Sequence, residues 1–507
     1  MKTAFQLLLL LIWPVAIAAG DDPAASSALP ELFDPARHLR VDEVREGMKG
    51  YGLTVFKGTT IERFDVEVVS VLKNFNPKRD VVLIRALGPN LEHTGAIAGM
   101  SGSPIFLFDE HGRPRLLGAF AYGWRFAKDP IAGVQPIQYM LEMNSPSSEA
   151  HQPDAPPAGA RQSWDVLRGV AAAVDRFRPG NAGSGRPQAS GSLRPLATPV
   201  TTSGAPAEVL RAYRHVFEAH NLLLAGAGGR GRQADARIEP GSVVVAPLLT
   251  GDVEFHANGT CTEVIGEHVF AFGHPFLNEG EAALPLAAGE VNAVVASMES
   301  SFKIAAVGPV LGTMHTDQTA GVAAKLGPHP EMLPIDVTIV RSGRESPFRF
   351  QAVRHPRLLP AIVAAAVDSA LIGDNMLPQY NTVSYDLTME FDNGRILRIG
   401  NVDTNVVPGG LLSQLVAPIA AAVENPFQRV LPRRITGRLQ VDPEPRDSLI
   451  LSVQIPKTRY RPGETISGFI THRPFRGEES DLPFSMQLPR DLPDGSYQLI
   501  VGDWTRF

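Results

Sequence analysis

At 507 residues, with 44% hydrophobic and 20% charged side chains, the chain exceeds what one hydrophobic core can organise and has the composition of an ordinary globular protein of about two to four domains. A formal net charge of -6 offers no electrostatic footprint for nucleic acid. The single cysteine, Cys261, excludes an intramolecular disulfide and a cysteine-clustered zinc site, while 47 glycines and 43 prolines favour short strands joined by turns.

The N-terminus reads as an address label. Lys2 supplies a positive charge, Leu7–Ile12 an apolar core, and Ala16-Ile17-Ala18 a small-x-small cleavage site, so residues 1–18 are expected to be a secretory signal peptide. No later run reaches the roughly 18 apolar residues of a membrane helix, so no permanent span is expected. A Pro/Ala/Ser tether, Pro23–Pro30, leads into a β-rich region of about residues 31–145. Its expected strands are Tyr51–Phe56, Phe64–Val71, Val81–Leu87, Ile105–Phe108 and Leu116–Trp124, with a short closing helix at Tyr139–Met143.

Residues 146–205 are rich in Pro, Ala, Ser and Gly and read as a linker, with a short helix at Trp164–Phe177. Ala207–Leu224 has helical spacing, stopped by Gly226-Ala227-Gly228-Gly229. From Gly241 the pattern returns to β. Expected strands are Ser242–Leu248, Phe255–Ala257, Thr260–Val264, Val269–Phe272, Val291–Ser297, Phe302–Val307 and Ile335–Val340. Cys261 sits in this pattern as a small buried hydrophobe. Arg357–Ile372 is apolar all along, which points to a core or interface helix; Ser384–Phe391 reads as a strand and Gly410–Val423 as a further helix. These divide into a second β half at 206–400 and a helical connector at 401–440. In the tail, 441–507, strands at Leu449–Val453, Thr465–Thr471, Phe484–Leu488 and Tyr497–Val501 predict a small β-sandwich serving as a binding or spacer module.

The stretch with chemical content is Gly99-Met100-Ser101-Gly102-Ser103-Pro104. Glycines on both sides let a tight turn lift one hydroxyl between two strands, and the amides of Gly99 and Ser101 converge on a point where an oxyanion would develop. The turn resembles the G-x-S-G-G-P turn of trypsin-like serine peptidases. The bland alternative is a structural serine capping strand ends.

Further patches carry a family resemblance. Lys49–Phe56, Leu91–Gly95, Gly99–Pro104 and Lys128–Gly133, followed by Gly259-Thr260, Phe272-Gly273-His274-Pro275, Ser301-Phe302-Lys303, Gly312–His315 and Leu333–Ile335, resemble the stage IV sporulation protein B peptidase family, serine peptidase family 55. The resemblance covers roughly residues 45–143 and 240–345. It implies a mainly β, trypsin-like double β-barrel, with Ser101 as nucleophile and His274 as general base, and with the Ser half preceding the His half, the reverse of the family's order. Where the family has an Asp-Pro pair before the serine, this chain has Gly88-Pro89. Glu92, Asp129 and Asp317 are the candidates for the missing third member, and a backbone carbonyl is a further possibility. His93 is a local alternative base or a rim residue, and Ser103 a support for the turn. His268 and His274 match no common metal-ligand spacing, so no metal and no cofactor are expected.

The expectation is therefore an exported serine endopeptidase of the periplasm or cell envelope acting on a protein or peptide substrate. Its rival is a catalytically weak or inactive peptidase-fold scaffold that binds an envelope protein. Self-cleavage within Ser145–Ser203 is a third reading.

Overall fold

The computed structural model describes residues 29–144, 192–227, 237–373, 377–425, 428 and 430–502. The expected signal peptide, most of the expected linker and the Trp164–Phe177 helix lie outside these residues. The protein is mainly β, with a closed six-stranded antiparallel barrel, a large mixed sheet and a small C-terminal antiparallel sheet.

The barrel is made of β1 (Lys49–Val55), β2 (Ile61–Asn76), β3 (Arg79–Leu87), β5 (Pro104–Phe108), β6 (Pro114–Gly123) and β7 (Ile131–Pro136); the two-residue β4 (Ile97–Ala98) lies outside it. Its order is β5-β1-β2-β3-β7-β6, and β6 returns to β5 to close the ring. Alternation drives the closure, since the inward residues Phe64, Val66, Val82, Ile84, Ile105, Leu107 and Val134 form one buried cluster. A short helix at Ile137–Leu141 follows, as expected.

The chain re-enters at β8 (Arg194–Pro195), antiparallel to β6, and at β9 (Thr198–Ser203), which belongs to the large sheet. Both strands fall inside the stretch that composition assigns to linker. The helix Ala207–Glu218 is shorter than its spacing predicts. It stops before Asn221, which has φ +58°, and Leu222–Ala227 continue as β10, parallel to β9. Three consecutive leucines suit a buried strand as well as a helix face, and periodicity does not separate the two.

In the large sheet, β11 (Val243–Gly251), β12 (Glu254–Ile265), β13 (His268–Ala271), β14 (Gly280–Val295), β15 (Ser301–Gln318) and β16 (Gly321–Leu326) pair antiparallel in the sequence β12-β13-β16-β15-β14-β11. A β11–β12 pairing then brings these six strands round to their starting point. Cys261 on β12 is a free, fully buried thiol.

Beyond this ring, β17 (Leu333–Arg341), β18 (Arg344–Ala352), β19 (Thr382–Phe391), β20 (Ile396–Thr404) and β21 (Pro432–Asp442) extend the sheet in the order β18-β17-β21-β19-β20. The helix Leu359–Gly373 packs among them with every residue from Leu359 to Ile372 buried, the core role that its uniform apolarity predicts. The helix Leu412–Val423 lies beside it.

Residues β22 (Ser448–Gln454), β23 (Thr465–Pro474) and β24 (Ser480–Gln487) form a single three-stranded sheet, not a sandwich, among the described residues. Leu449, Phe469 and Leu482 are exposed, because no second layer covers them. Tyr497–Val501 forms no strand. No helix among the described residues is long and apolar enough to cross a membrane.

Candidate active site

The Ser101 turn is fixed from both of its own ends. Met100 N–H donates to Ile97 O at 3.0 Å and Ser103 N–H to Met100 O at 2.8 Å. Gly102 N–H donates to Phe120 O, and Phe120 N–H returns to Ser103 O, each at 2.9 Å, which binds the turn to the edge of β6. Met100 is completely buried in the barrel core and acts as the plug that holds the turn down.

The other half clasps the same turn. Thr260 N–H donates to Ser101 O at 2.8 Å, the Thr260 hydroxyl to Gly99 O at 2.9 Å, and the Thr262 hydroxyl to Gly102 O at 2.7 Å. The contact is so close that a Cβ on Gly102 would sit 1.9 Å from Thr260 O, at a φ of +99° that side chains rarely adopt. Among the described residues, neither the Gly99 nor the Ser101 amide takes part in the backbone hydrogen bonds that fix the turn.

His274 reaches the turn from a kink that follows β13. Phe272 and Gly273 both have left-handed φ values, +66° and +68°, a conformation rare for an aromatic residue and one that clusters at functional sites. The kink packs Gly273 against Ala119 and Ala121 on β6 and Gln135 on β7. It brings His274 Nε2 to 2.8 Å from Ser101 Oγ. On the far side, Nδ1 lies 2.8 Å from the carbonyl oxygen of Pro275. A carbonyl only accepts, so Nδ1 carries the proton and Nε2 is left free to accept from the Ser101 hydroxyl. Burial pushes the imidazole down to about 4, against the pull of the Pro275 carbonyl, and the ring is neutral at pH 7.

The sequence-predicted acids fall elsewhere. Glu92 lies on the exposed side of the short helix Pro89–Thr94, with His93 beside it, and Asp129 is exposed in a loop. Neither acid is hydrogen-bonded to the fully buried His274. Asp317 is buried at the end of β15 and does reach this region, but it holds backbone rather than imidazole. It accepts from Phe276 N–H at 2.7 Å, Leu277 N–H at 2.5 Å and Asn278 N–H at 2.8 Å. Burial pushes its carboxyl up from the usual range, and the three amides pull it the other way. Asp317 therefore fixes the loop whose first carbonyl orients His274.

The dyad is closed to solvent, with Ser101 only 1% and His274 0% exposed. Two cavities of about 480 and 510 Å³ adjoin at Asn76 and Thr319; Asp317 and Gln135 line the first, Pro275 and Tyr122 the second, and the dyad lines neither. Along the edge of β6 that holds the serine turn at Phe120, the next carbonyl, that of Ala121, accepts from Leu196 N–H at 2.9 Å, and Tyr122 and Gly123 pair with Pro195 and Arg194. The chain's own residues 194–196 thus fill the backbone edge beside the Ser101 turn.

Sequence reading missed several members of this constellation. Thr260 and Thr262 carry no motif that marks them as clasps, and the Pro275 carbonyl has no side-chain signature at all. Ser103 points out of the turn rather than into it: its hydroxyl donates to Thr54 Oγ1 on β1 at 3.0 Å, and Lys303 Nζ donates to the same oxygen at 2.8 Å. Comparison with family models, with curated proteins and with solved structures finds no match for the chain.

Proposed function

We propose that the protein is a serine hydrolase of the trypsin-like double-barrel class, with its two halves in exchanged order. Within that class the reading is an exported endopeptidase of the cell envelope. The observation that carries it is the Ser101 Oγ–His274 Nε2 contact of 2.8 Å, made with Nδ1 already committed to a carbonyl acceptor. Two rings of six antiparallel strands, each supplying one member of the pair, support the architecture. The signal-peptide pattern of residues 1–18 supports export.

In this mechanism Ser101 Oγ attacks the scissile carbonyl carbon as His274 Nε2 takes its proton. The Gly99 and Ser101 amides hold the oxyanion, and His274 then protonates the leaving amine. A water, deprotonated by the same ring, releases the acyl group. The dyad is closed, so the substrate must open the cleft beside residues 194–196 before Ser101 is reached.

A second reading, a binding scaffold that retains the fold without turnover, draws on the same closure and on the lack of a carboxylate at His274. Labelling with a fluorophosphonate probe separates the two. A peptidase labels stoichiometrically at Ser101 and loses labelling in Ser101→Ala and His274→Ala; a native protein that takes up no probe at pH 7, even on prolonged incubation that samples the open cleft, supports the scaffold.

A further inference from the structure

Lys303 is completely buried on β15, in the half of the molecule opposite the Ser101 turn. A lysine is rarely taken out of water without a carboxylate, because the desolvation cost is large. Around it are the Thr54 hydroxyl on β1, the Gly99 backbone of the serine turn, which Asn258 on β12 also approaches, and Val294, opposite it in register on β14. None of these is an acid or a second cation, and Lys303 has no ion pair among the described residues. Thr54 Oγ1, at 2.8 Å, is the acceptor for its Nζ.

Its position is more specific than its burial. A Cβ built on Gly99 would lie 3.1 Å from Lys303 Cβ and 3.3 Å from its Cδ, with Asn258 Oδ1 at 2.8 Å. That Asn258 oxygen is itself buried and without a hydrogen-bond partner. The lysine stem therefore forms the floor beneath the residue whose amide would hold the oxyanion. Its amine anchors Thr54, which in turn receives the hydroxyl of Ser103 two residues beyond the nucleophile.

We propose that Lys303 is a positioning residue for the reaction at Ser101: its stem supports the Gly99–Ser101 amides from below, and its ammonium adds a buried positive charge on the side where the oxyanion forms. The inference rests on the peptidase reading of the site and deepens it. A charge in a water-excluded interior acts over several ångströms, so direct contact with the oxyanion is not needed. Burial pushes the Lys303 amine down to about 7, so the charge is present at acidic pH, is being lost at neutral pH and is gone above.

The test is the rate of fluorophosphonate labelling at Ser101 between pH 4 and 10, for the native protein, Lys303→Met and Ser101→Ala, with thermal unfolding as the check that each variant is folded. The native rate is expected to fall as pH rises through about 7. Lys303→Met keeps the stem but removes the charge; it is expected to label about tenfold more slowly at pH 6 and to lose that alkaline limb. A folded Lys303→Met with the native rate and profile overturns the inference. So does a slower Lys303→Met that retains the alkaline limb, since packing alone would then explain the loss. Native protein that does not label at all overturns the peptidase reading, and the role of Lys303 with it.

Discussion

His274 is oriented by an uncharged oxygen, and that one substitution sets the chemistry expected of the site. In Ser-His-Asp enzymes the aspartate both selects the tautomer and stabilises the imidazolium; selecting the wrong tautomer costs on the order of 10⁴ in rate. The Pro275 carbonyl, 2.8 Å from Nδ1, performs the first task and not the second. The ring's basicity is low for the same reason, with burial opposed by no carboxylate. A general base works only when neutral, so labelling at Ser101 should hold down to about pH 4 and fall below it. An acid limb at 6 to 7, the range of a solvated histidine, would mean that the ring is not closed in as described. Asp317 acts one step further out. Asp317→Asn turns a donor toward three backbone donors, and the expected outcome is about 2 kcal/mol of lost stability and on the order of tenfold slower labelling. The acid limb should move up toward the solvated value as the loop loosens; a variant that only loses stability, with its limb unmoved, would deny Asp317 a part in orienting the ring. Ser101 stood out through its glycine-marked turn and His274 only through the family resemblance, and the fold brings the two side chains to 2.8 Å. A backbone carbonyl was one of the alternatives for orienting the ring, but every residue has one and nothing in the letter Pro275 marks this one as the acceptor.

The elements that bring the pair together are two turns locked onto opposing strands. Thr260 and Thr262 alternate along β12 so that both hydroxyls face the serine turn, and each binds a glycine carbonyl. This close approach makes Gly102 the most constrained residue of the motif. Gly102→Ala would drive a Cβ into Thr260 O, so the turn and β12 must separate. The expected outcome is a loss of about 3 kcal/mol in unfolding free energy and labelling reduced more than a hundredfold. Native-like labelling by this variant would show that the turn and β12 are not clasped. Many strands were readable from alternation and turn residues, although β7, β16, β18 and β20 were not anticipated, and the uniformly apolar helix at Leu359–Gly373 is the core element that its pattern implies. The expected helical connector at 401–440 also carries the end of β20 and most of β21, and three further readings failed for one reason: local pattern does not report the partner. Leu222–Leu224 pair with β9 instead of extending a helix, Arg194–Pro195 take an edge of β6 despite a linker composition, and the tail strands form one layer where their spacing suggested two.

Across the whole molecule, buried groups titrate away from their ordinary ranges, at the contact of the two halves and within the core of the second, and the balance among them contributes to how stability depends on pH. His274 is lowered to about 4 and so favours unfolding as pH falls from 6.5, when the unfolded ring takes a proton that the folded ring refuses. Asp368, fully buried on the core helix and accepting from the Tyr213 hydroxyl at 2.6 Å, is raised to about 7 and acts in the opposite sense: its stabilising contribution is present below 3.8 and is lost as pH rises to 7. Between pH 4 and 7 these two trends offset each other. Above 7 Lys303 remains: its folded value of about 7 lies below the unfolded 10.5, so the folded state binds fewer protons and stability rises with pH. The window closes near pH 9, where the Cys261 thiol, raised well above its model-compound value of 9.0 by burial, resists the ionisation available to the unfolded chain. The native protein is thus expected to gain about 2 kcal/mol between pH 7 and 9 from this lysine, read as a rise in the urea midpoint at constant slope. Lys303→Met removes the titrating group; its midpoint should be higher than the native one at pH 7 and nearly flat to pH 9. Equal slopes in the two proteins would mean that Lys303 reaches water or a carboxylate, and that the interface between the halves is more open than a fully buried, unpaired ammonium requires.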